Sequence, residues 1–123
     1  HMLSIVRGIY SMPPDHGAAI VAHLLANDAL ANEWRAELDS MRLRIQQLRC
    51  QFADTMAALG HPEFQFVANQ KGMFSYTGLS KEHVQQLRDK HHIYMVGSGR
   101  VNVAGLNTNN IDYVVNAIAD VLK

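Results

Sequence analysis

The sequence predicts an α+β fold with its elements in the order α-α-β-β-α-β-β-α. Three observations support this prediction: a long apolar stripe at helical spacing over residues 28–59, four short β-rich segments between residues 64 and 104, and a final amphipathic helix after Thr108. We expect the four strands to form two hairpins in one small sheet, with helices packed on a single face.

The first predicted helix follows an extended segment. Pro13, Pro14 and Asp15 mark the start of the helix, because proline fits its first turn and an aspartate there favours the positive helix end. Small and apolar residues then recur at helical spacing up to Asn27. We expect residues 5–14, which end in the two prolines, to be extended.

The second predicted helix, residues 28–60, is capped by Asn27 or Asp28 and ends at Gly60. Charged residues between its apolar positions, Arg49 among them, are expected on solvent-facing sides. At 1.5 Å per residue the helix is roughly 45 Å long, more than a domain of this size needs. We therefore expect it either to connect two domains or to form a two-stranded coiled coil. Its apolar residues recur every three or four positions: Leu30, Trp34, Leu38, Met41, Ile45, Leu48, Phe52, Met56 and Leu59.

The remaining residues alternate between strand and helix patterns. Ser80 and Thr108 are each expected to cap a following helix. Turn residues at 69–72 and a glycine bend at 97–99 separate the members of each strand pair. The predicted strands are residues 64–68, 73–76, 93–96 and 100–104.

Composition excludes several functional classes. The chain has 123 residues and no net charge, which argues for one domain and against binding to a nucleic-acid backbone. No apolar run is long enough to span a bilayer. A single cysteine, Cys50, cannot form an internal disulfide, and this favours a reducing, cytoplasmic setting. The seven histidines do not have the spacing of metal ligands, so no metal site is expected.

Two arginines are candidate anion-binding residues. Arg100 follows the glycine bend and begins an apolar strand, so it is either an exposed turn residue or a bidentate clamp for a carboxylate or phosphate. Arg7 lies in the segment before the prolines, which either contacts a partner surface or is a simple tail.

Several segments, taken together, resemble the C-terminal part of bacterial aspartate and aromatic (tyrosine) aminotransferases. This resemblance implies a fold-type I pyridoxal-phosphate enzyme with a longer chain, a homodimeric and cytoplasmic protein, and amino-acid and 2-oxo-acid substrates. The segments that carry it are Arg7, Tyr10-Ser11, Pro13-Pro14, His16-Gly17-Ala18, residues 72–79 and residues 98–105.

The resemblance also implies roles for three residues. Arg100 would bind the substrate α-carboxylate, and Phe74 would lie near the substrate entrance. Arg7 would reach across a dimer interface to the distal carboxylate of aspartate or glutamate. Met12 replaces the asparagine usual in aspartate enzymes, and residues 74–80 are closer to the aromatic branch.

The chain is expected to consist of four parts, of which the resemblance implies the last three. Residues 1–2 match the remnant of a cleaved tag, residues 3–27 the tail of a large domain, residues 28–60 an interdomain helix and residues 61–123 a small C-terminal domain. None of the four lysines lies where the family holds its cofactor, so no catalytic or cofactor-binding residue is expected here and the isolated piece should be inactive. Two alternatives remain open, a non-catalytic carboxylate-binding module and a dimerisation element.

Overall fold

The computed structural model describes residues 1–12 and 14–123, so Pro13 of the predicted helix start lies outside the described residues. The described residues form two compact units, residues 1–40 and 41–123, and the boundary falls within one long helix. The helices are α1 (Met2–Ile9), α2 (Asp15–Ala26), α3 (Asp28–Ala58), α4 (Phe66–Asn69), α5 (Lys81–His91) and α6 (Ile111–Val121). The strands are β1 (Phe74–Tyr76) and β2 (Arg100–Asn102), and 3-10 turns occupy Pro62–Gln65 and Val103–Gly105.

The first unit begins with a helix, α1, in a region predicted to be extended. Met2, Ile5, Val6 and Ile9 recur at i, i+3, i+4 and i+7, which is the amphipathic helix pattern, and no proline interrupts them. All residues of α1 are exposed within this chain. The prediction of an extended segment over residues 5–14 was therefore wrong for residues 5–9, because helical periodicity extends to Ile9.

Helix α3 contains 31 residues, which confirms the predicted long helix. Asn27 caps it as predicted, since its Oδ1 accepts hydrogen bonds from the N–H groups of Ala29 at 3.0 Å and Leu30 at 3.2 Å. Gly60, with φ +93°, supplies the left-handed residue after its C-terminus.

The second unit has a continuous apolar core. The C-terminal half of α3 packs there with α5 and α6, and the 3-10 turn and α4 contribute Phe64 and Val67. Ser80 caps α5 as predicted, whereas α6 starts at Ile111 with Asn110, and not Thr108, at its N-cap position. The buried core residues are Leu48, Phe52, Met56, Phe64, Val67, Leu79, Val84, Leu87, Val103, Ile111, Val115, Ala117, Ile118 and Val121.

The described residues form one two-stranded antiparallel sheet instead of the two predicted hairpins. Phe74 pairs with Asn102, Ser75 with Val101 and Tyr76 with Arg100. Residues 64–68 are helical, because Pro62 starts a 3-10 turn and Phe64 and Val67 enter the core three positions apart.

Residues 93–96 also differ from the prediction. They have strand-forming side chains but do not lie beside a partner strand in the described part of the chain. The α+β class is retained, whereas the predicted order α-α-β-β-α-β-β-α is not.

Candidate functional site

Strand pairing places Arg100 and Phe74 on one face of the sheet. Side chains alternate along a strand, so residues 74, 76, 100 and 102 share the outer face, while Ser75 is buried on the opposite face. The guanidinium carbon of Arg100 lies 4.8 Å from the centroid of the Phe74 ring, a cation–π contact. Two of the three residues predicted to bind substrate therefore form a pair.

Arg100 is an exposed residue. Within residues 1–12 and 14–123 no carboxylate lies within ion-pair distance of it, and its contact is with the Phe74 ring. A planar guanidinium presents N–H groups in a fork that matches both oxygens of a carboxylate. Its donors are thus available for an external anion.

A groove of about 580 Å³ adjoins the pair. Most of its lining is apolar, and Arg100, Asn102 and Asn110 supply polar groups, a composition typical of small-molecule sites. The half-exposed ring of Phe74 forms part of its wall. The groove can therefore hold a molecule with an apolar body and an anionic end.

The backbone immediately before Arg100 is fixed by a buried threonine. The Thr77 Oγ1 hydroxyl donates to the carbonyl of Gly99 at 2.8 Å, and the Thr77 N–H donates to the same oxygen at 3.0 Å. Gly99 has φ +76°, and a Cβ there would lie 2.9 Å from the Leu79 carbonyl oxygen. The predicted glycine bend is thus confirmed, and it sets the direction in which β2 begins.

A buried cation that the sequence did not predict lies behind this sheet. Arg49, expected on a solvent face of α3, is 2% exposed. It is one helical turn from Ile45 and Phe52, so its spacing places it on the buried face and could have identified it. Burial lowers the pKa of its guanidinium from the usual value.

The guanidinium of Arg49 donates only to uncharged oxygens in the hydrogen bonds observed. These are the carbonyls of Gly72 at 2.7 Å, Phe74 at 2.9 Å and Val67 at 3.3 Å, together with the Ser75 hydroxyl. Three of the four acceptors belong to β1 or to the turn that leads into it. This arginine therefore connects α3 to the strand that carries Phe74.

The third predicted substrate-binding residue, Arg7, is exposed on α1 and belongs to the first unit. Cys50 is exposed as well. Among the described residues, no group of three or more His, Cys, Asp or Glu side chains could hold a metal ion. In the same part of the chain, no helix is both long and apolar enough to cross a membrane.

The lysines do not fit a covalent cofactor site. All of them are exposed, and none lines the groove beside Arg100. Lys90 donates to Gln86 at 3.2 Å, and Lys123 lies 3.5 Å from Asp120. The described residues therefore place an arginine beside the groove without a nearby lysine amine for a Schiff base.

A family model and individual relatives of this chain all describe aminotransferases. Residues 1–118 match the model of the family described as aminotransferase class I and II. The chain is 48% identical over 122 residues to an aspartate aminotransferase of Salmonella typhi and 46% identical over 118 residues to an aromatic-amino-acid aminotransferase of Pseudomonas aeruginosa. These alignments cover 98% and 95% of this chain but 31% and 30% of the relatives.

A solved structure agrees with these sequence matches. The aromatic-amino-acid aminotransferase of Burkholderia pseudomallei, described as covalently bound to pyridoxal phosphate, is 47% identical with a TM-score of 0.92. The match covers 98% of this chain and 30% of that one. This chain thus spans about 30% of the length of the proteins it resembles.

Proposed function

This chain belongs to the aminotransferase class I and II family, and we propose that it is part of an enzyme that transfers an amino group between aspartate or an aromatic amino acid and 2-oxoglutarate. Within that enzyme its role is to bind the substrate carboxylate. The names of the relatives, aspartate and aromatic-amino-acid aminotransferases, support the substrate classes.

The observation that carries this proposal is the Arg100–Phe74 pair. Arg100 has no ion-pair partner among the described residues, and its guanidinium lies over an aromatic ring at the edge of a groove. Two parallel N–H···O bonds from such a group bind and orient a carboxylate. In this proposal Arg100 binds the α-carboxylate, and Phe74 limits the sideways movement of the guanidinium.

Arg7 is the proposed ligand of the second carboxylate of an acidic substrate. It lies on α1, where all side chains are exposed within this chain. We propose that it acts in the partner subunit's site of a homodimer. Met12, also exposed, stands where aspartate enzymes usually carry asparagine, so aromatic substrates should be accepted as well.

Pyridoxal phosphate is the proposed cofactor of the longer protein, where it supplies the electron sink for amino-group transfer. The described residues do not fit its covalent site, since every lysine is exposed and outside the groove. We therefore assign no cofactor-binding or catalytic residue to this chain and propose that it is inactive alone. Incubation with pyridoxal phosphate and borohydride should label no single lysine stoichiometrically; specific labelling of one lysine would overturn this assignment.

The proposed organisation assigns residues 3–27 to a large domain, residues 28–60 to a connecting helix and residues 61–123 to a small domain. The continuous α3 supports the connecting role. A cytoplasmic location is proposed because relatives from Dictyostelium discoideum and Saccharomyces cerevisiae are named as cytoplasmic enzymes.

The role of Arg100 is tested in the full-length enzyme with Arg100→Met. Loss of two charge-assisted hydrogen bonds should raise the KM for aspartate and for phenylalanine about 100-fold, or about 2.7 kcal/mol. Arg88→Met, at an exposed position of α5, is the matched control and should leave both KM values unchanged. Unchanged KM values in Arg100→Met would refute the proposed function of this site.

Arg7→Ala tests the second arginine separately. An aspartate substrate has a distal carboxylate and phenylalanine has none, so turnover of aspartate should fall much further than turnover of phenylalanine. Equal losses for the two substrates would exclude Arg7 from substrate selection.

A further inference from the structure

The buried guanidinium of Arg49 holds the backbone on which the Arg100–Phe74 pair is built. Its Nη2 donates to the carbonyls of Gly72 and Phe74, and its Nη1 donates to the hydroxyl of Ser75 and the carbonyl of Val67. One rigid planar group therefore fixes the entry into β1 and two of its three residues.

Core packing alone does not explain an arginine at this position. A buried cation loses its hydration, and a well-packed apolar residue of similar volume is often as stable or more stable. Arg49 makes no ion pair in the described part of the chain, so no Coulomb attraction to a carboxylate offsets that loss. The arginine instead fixes the position of β1, because it donates four hydrogen bonds to acceptors in and before that strand.

The position of β1 affects the outer face of the sheet, where Arg100 and Phe74 lie. The Phe74 carbonyl accepts from Arg49 on the buried side, while the Phe74 ring contacts the Arg100 guanidinium on the outer side. Pairing between β1 and β2 sets Phe74 opposite Asn102 and Tyr76 opposite Arg100, so the position of β1 also sets the position of β2. A shift of β1 would thus move both the ring and the guanidinium, and close-packed interiors transmit such shifts.

We propose that Arg49 is a positioning residue for the substrate carboxylate, acting through β1 on the Arg100–Phe74 pair. This proposal rests on the proposed function, since it assumes that Arg100 binds a carboxylate. A binding group misplaced by a fraction of an ångström loses much of its effect, so the support behind the pair determines its affinity.

The test measures binding of maleate to the full-length enzyme by calorimetry, because maleate has two carboxylates and neither an amino nor an oxo group to react. Arg49→Met removes every donor while keeping an unbranched side chain, and should weaken maleate binding about tenfold. Arg49→Lys keeps the charge and up to three donors without the planar fork, and should weaken it about threefold.

Val84→Ala is the control for stability. Val84 is a core residue of α5, 3% exposed, that belongs neither to the sheet nor to the groove lining. It should lower the melting temperature and leave maleate binding within about twofold. If Arg49→Met loses stability in the same way and also binds maleate within twofold of the parent, Arg49 only stabilises the fold and the proposal is overturned.

Two further variants keep the outcome decisive. If Arg49→Met does not fold, Arg49→Lys and Ser75→Ala decide: weaker maleate binding supports the positioning role, and unchanged binding in both overturns it. Arg100→Met in the same assay separates the two hypotheses. Unchanged binding there refutes the proposed function itself, whereas loss with Arg100→Met and none with Arg49→Met refutes the role of Arg49 alone.

Discussion

The two units of this chain have similar apolar side chains but bury them very differently. In residues 41–123, aliphatic and aromatic residues from α3, α5 and α6 form a closed core. In residues 1–40, Ala31 is the one buried residue among those described, and Leu3, Ile5, Ile20 and Trp34 are all exposed. The residues that fold the chain and those that position Arg100 therefore lie in the second unit.

This contrast predicts where truncation of an aromatic side chain is costly. Phe52 is 3% exposed and meets Phe64 edge to face at 6.1 Å, so Phe52→Ala should destabilise the chain by about 3–5 kcal/mol. Trp34, 43% exposed, lies on the same helix in the first unit, and Trp34→Ala should cost less than about 1 kcal/mol. Urea unfolding followed by far-UV circular dichroism measures both.

Either variant could contradict this contrast in burial between the two units. A loss above about 2 kcal/mol for Trp34→Ala would mean that the first unit contributes to the same cooperative core. A loss below about 1 kcal/mol for Phe52→Ala would mean that the core of the second unit is loosely packed.

A smaller effect is expected at the bend before Arg100. Gly99 has φ +76°, and its Cβ would meet the Leu79 carbonyl oxygen at 2.9 Å, so Gly99→Ala should cost about 1–3 kcal/mol and weaken maleate binding by the full-length enzyme. Gly97→Ala is the matched control, because no heavy atom lies within 4 Å of its Cβ position. Equal stability of the two variants would show that the bend does not constrain β2.

Local signals in the sequence located α2, α3, α5 and α6, but they missed α1 and α4. Asn27 and Ser80 cap helices through the hydrogen bonds that their side chains predict, and Gly60 follows α3 with positive φ. Strand pairing could not be predicted in the same way, because it depends on contacts distant in sequence. Residues 93–96 have strand-forming side chains, yet only 74–76 and 100–102 pair in the described part of the chain.

The sequence predicted part of the candidate site. The position of Arg100 after the glycine bend made it a candidate anion-binding residue, and the family resemblance added Phe74. The structure places the two in contact, whereas their roles remain predictions. Arg49 was missed because an arginine in a helix is usually solvated. Its acceptors lie 18 to 26 residues further along the chain, so they become visible only once α3 packs against β1.

The smallest expected effect is a pH dependence confined to the second unit. There a hydrogen bond from His91 on α5, 3.2 Å from the carboxylate of Asp120 on α6, lowers the pKa of that carboxyl, and Lys123 lowers it further. A folded-state pKa below the unfolded value of about 3.9 means that the unfolded chain binds more protons. The interaction therefore stabilises the fold above about pH 4 and is lost as the pH falls through the lowered pKa.

Asp120→Asn should flatten the fall in unfolding free energy between about pH 5 and pH 3. His91→Ala should flatten it in part, and the double variant should differ little from Asp120→Asn. An unchanged slope in Asp120→Asn, measured by urea unfolding at each pH, would show that the contact between α5 and α6 does not depend on this carboxylate.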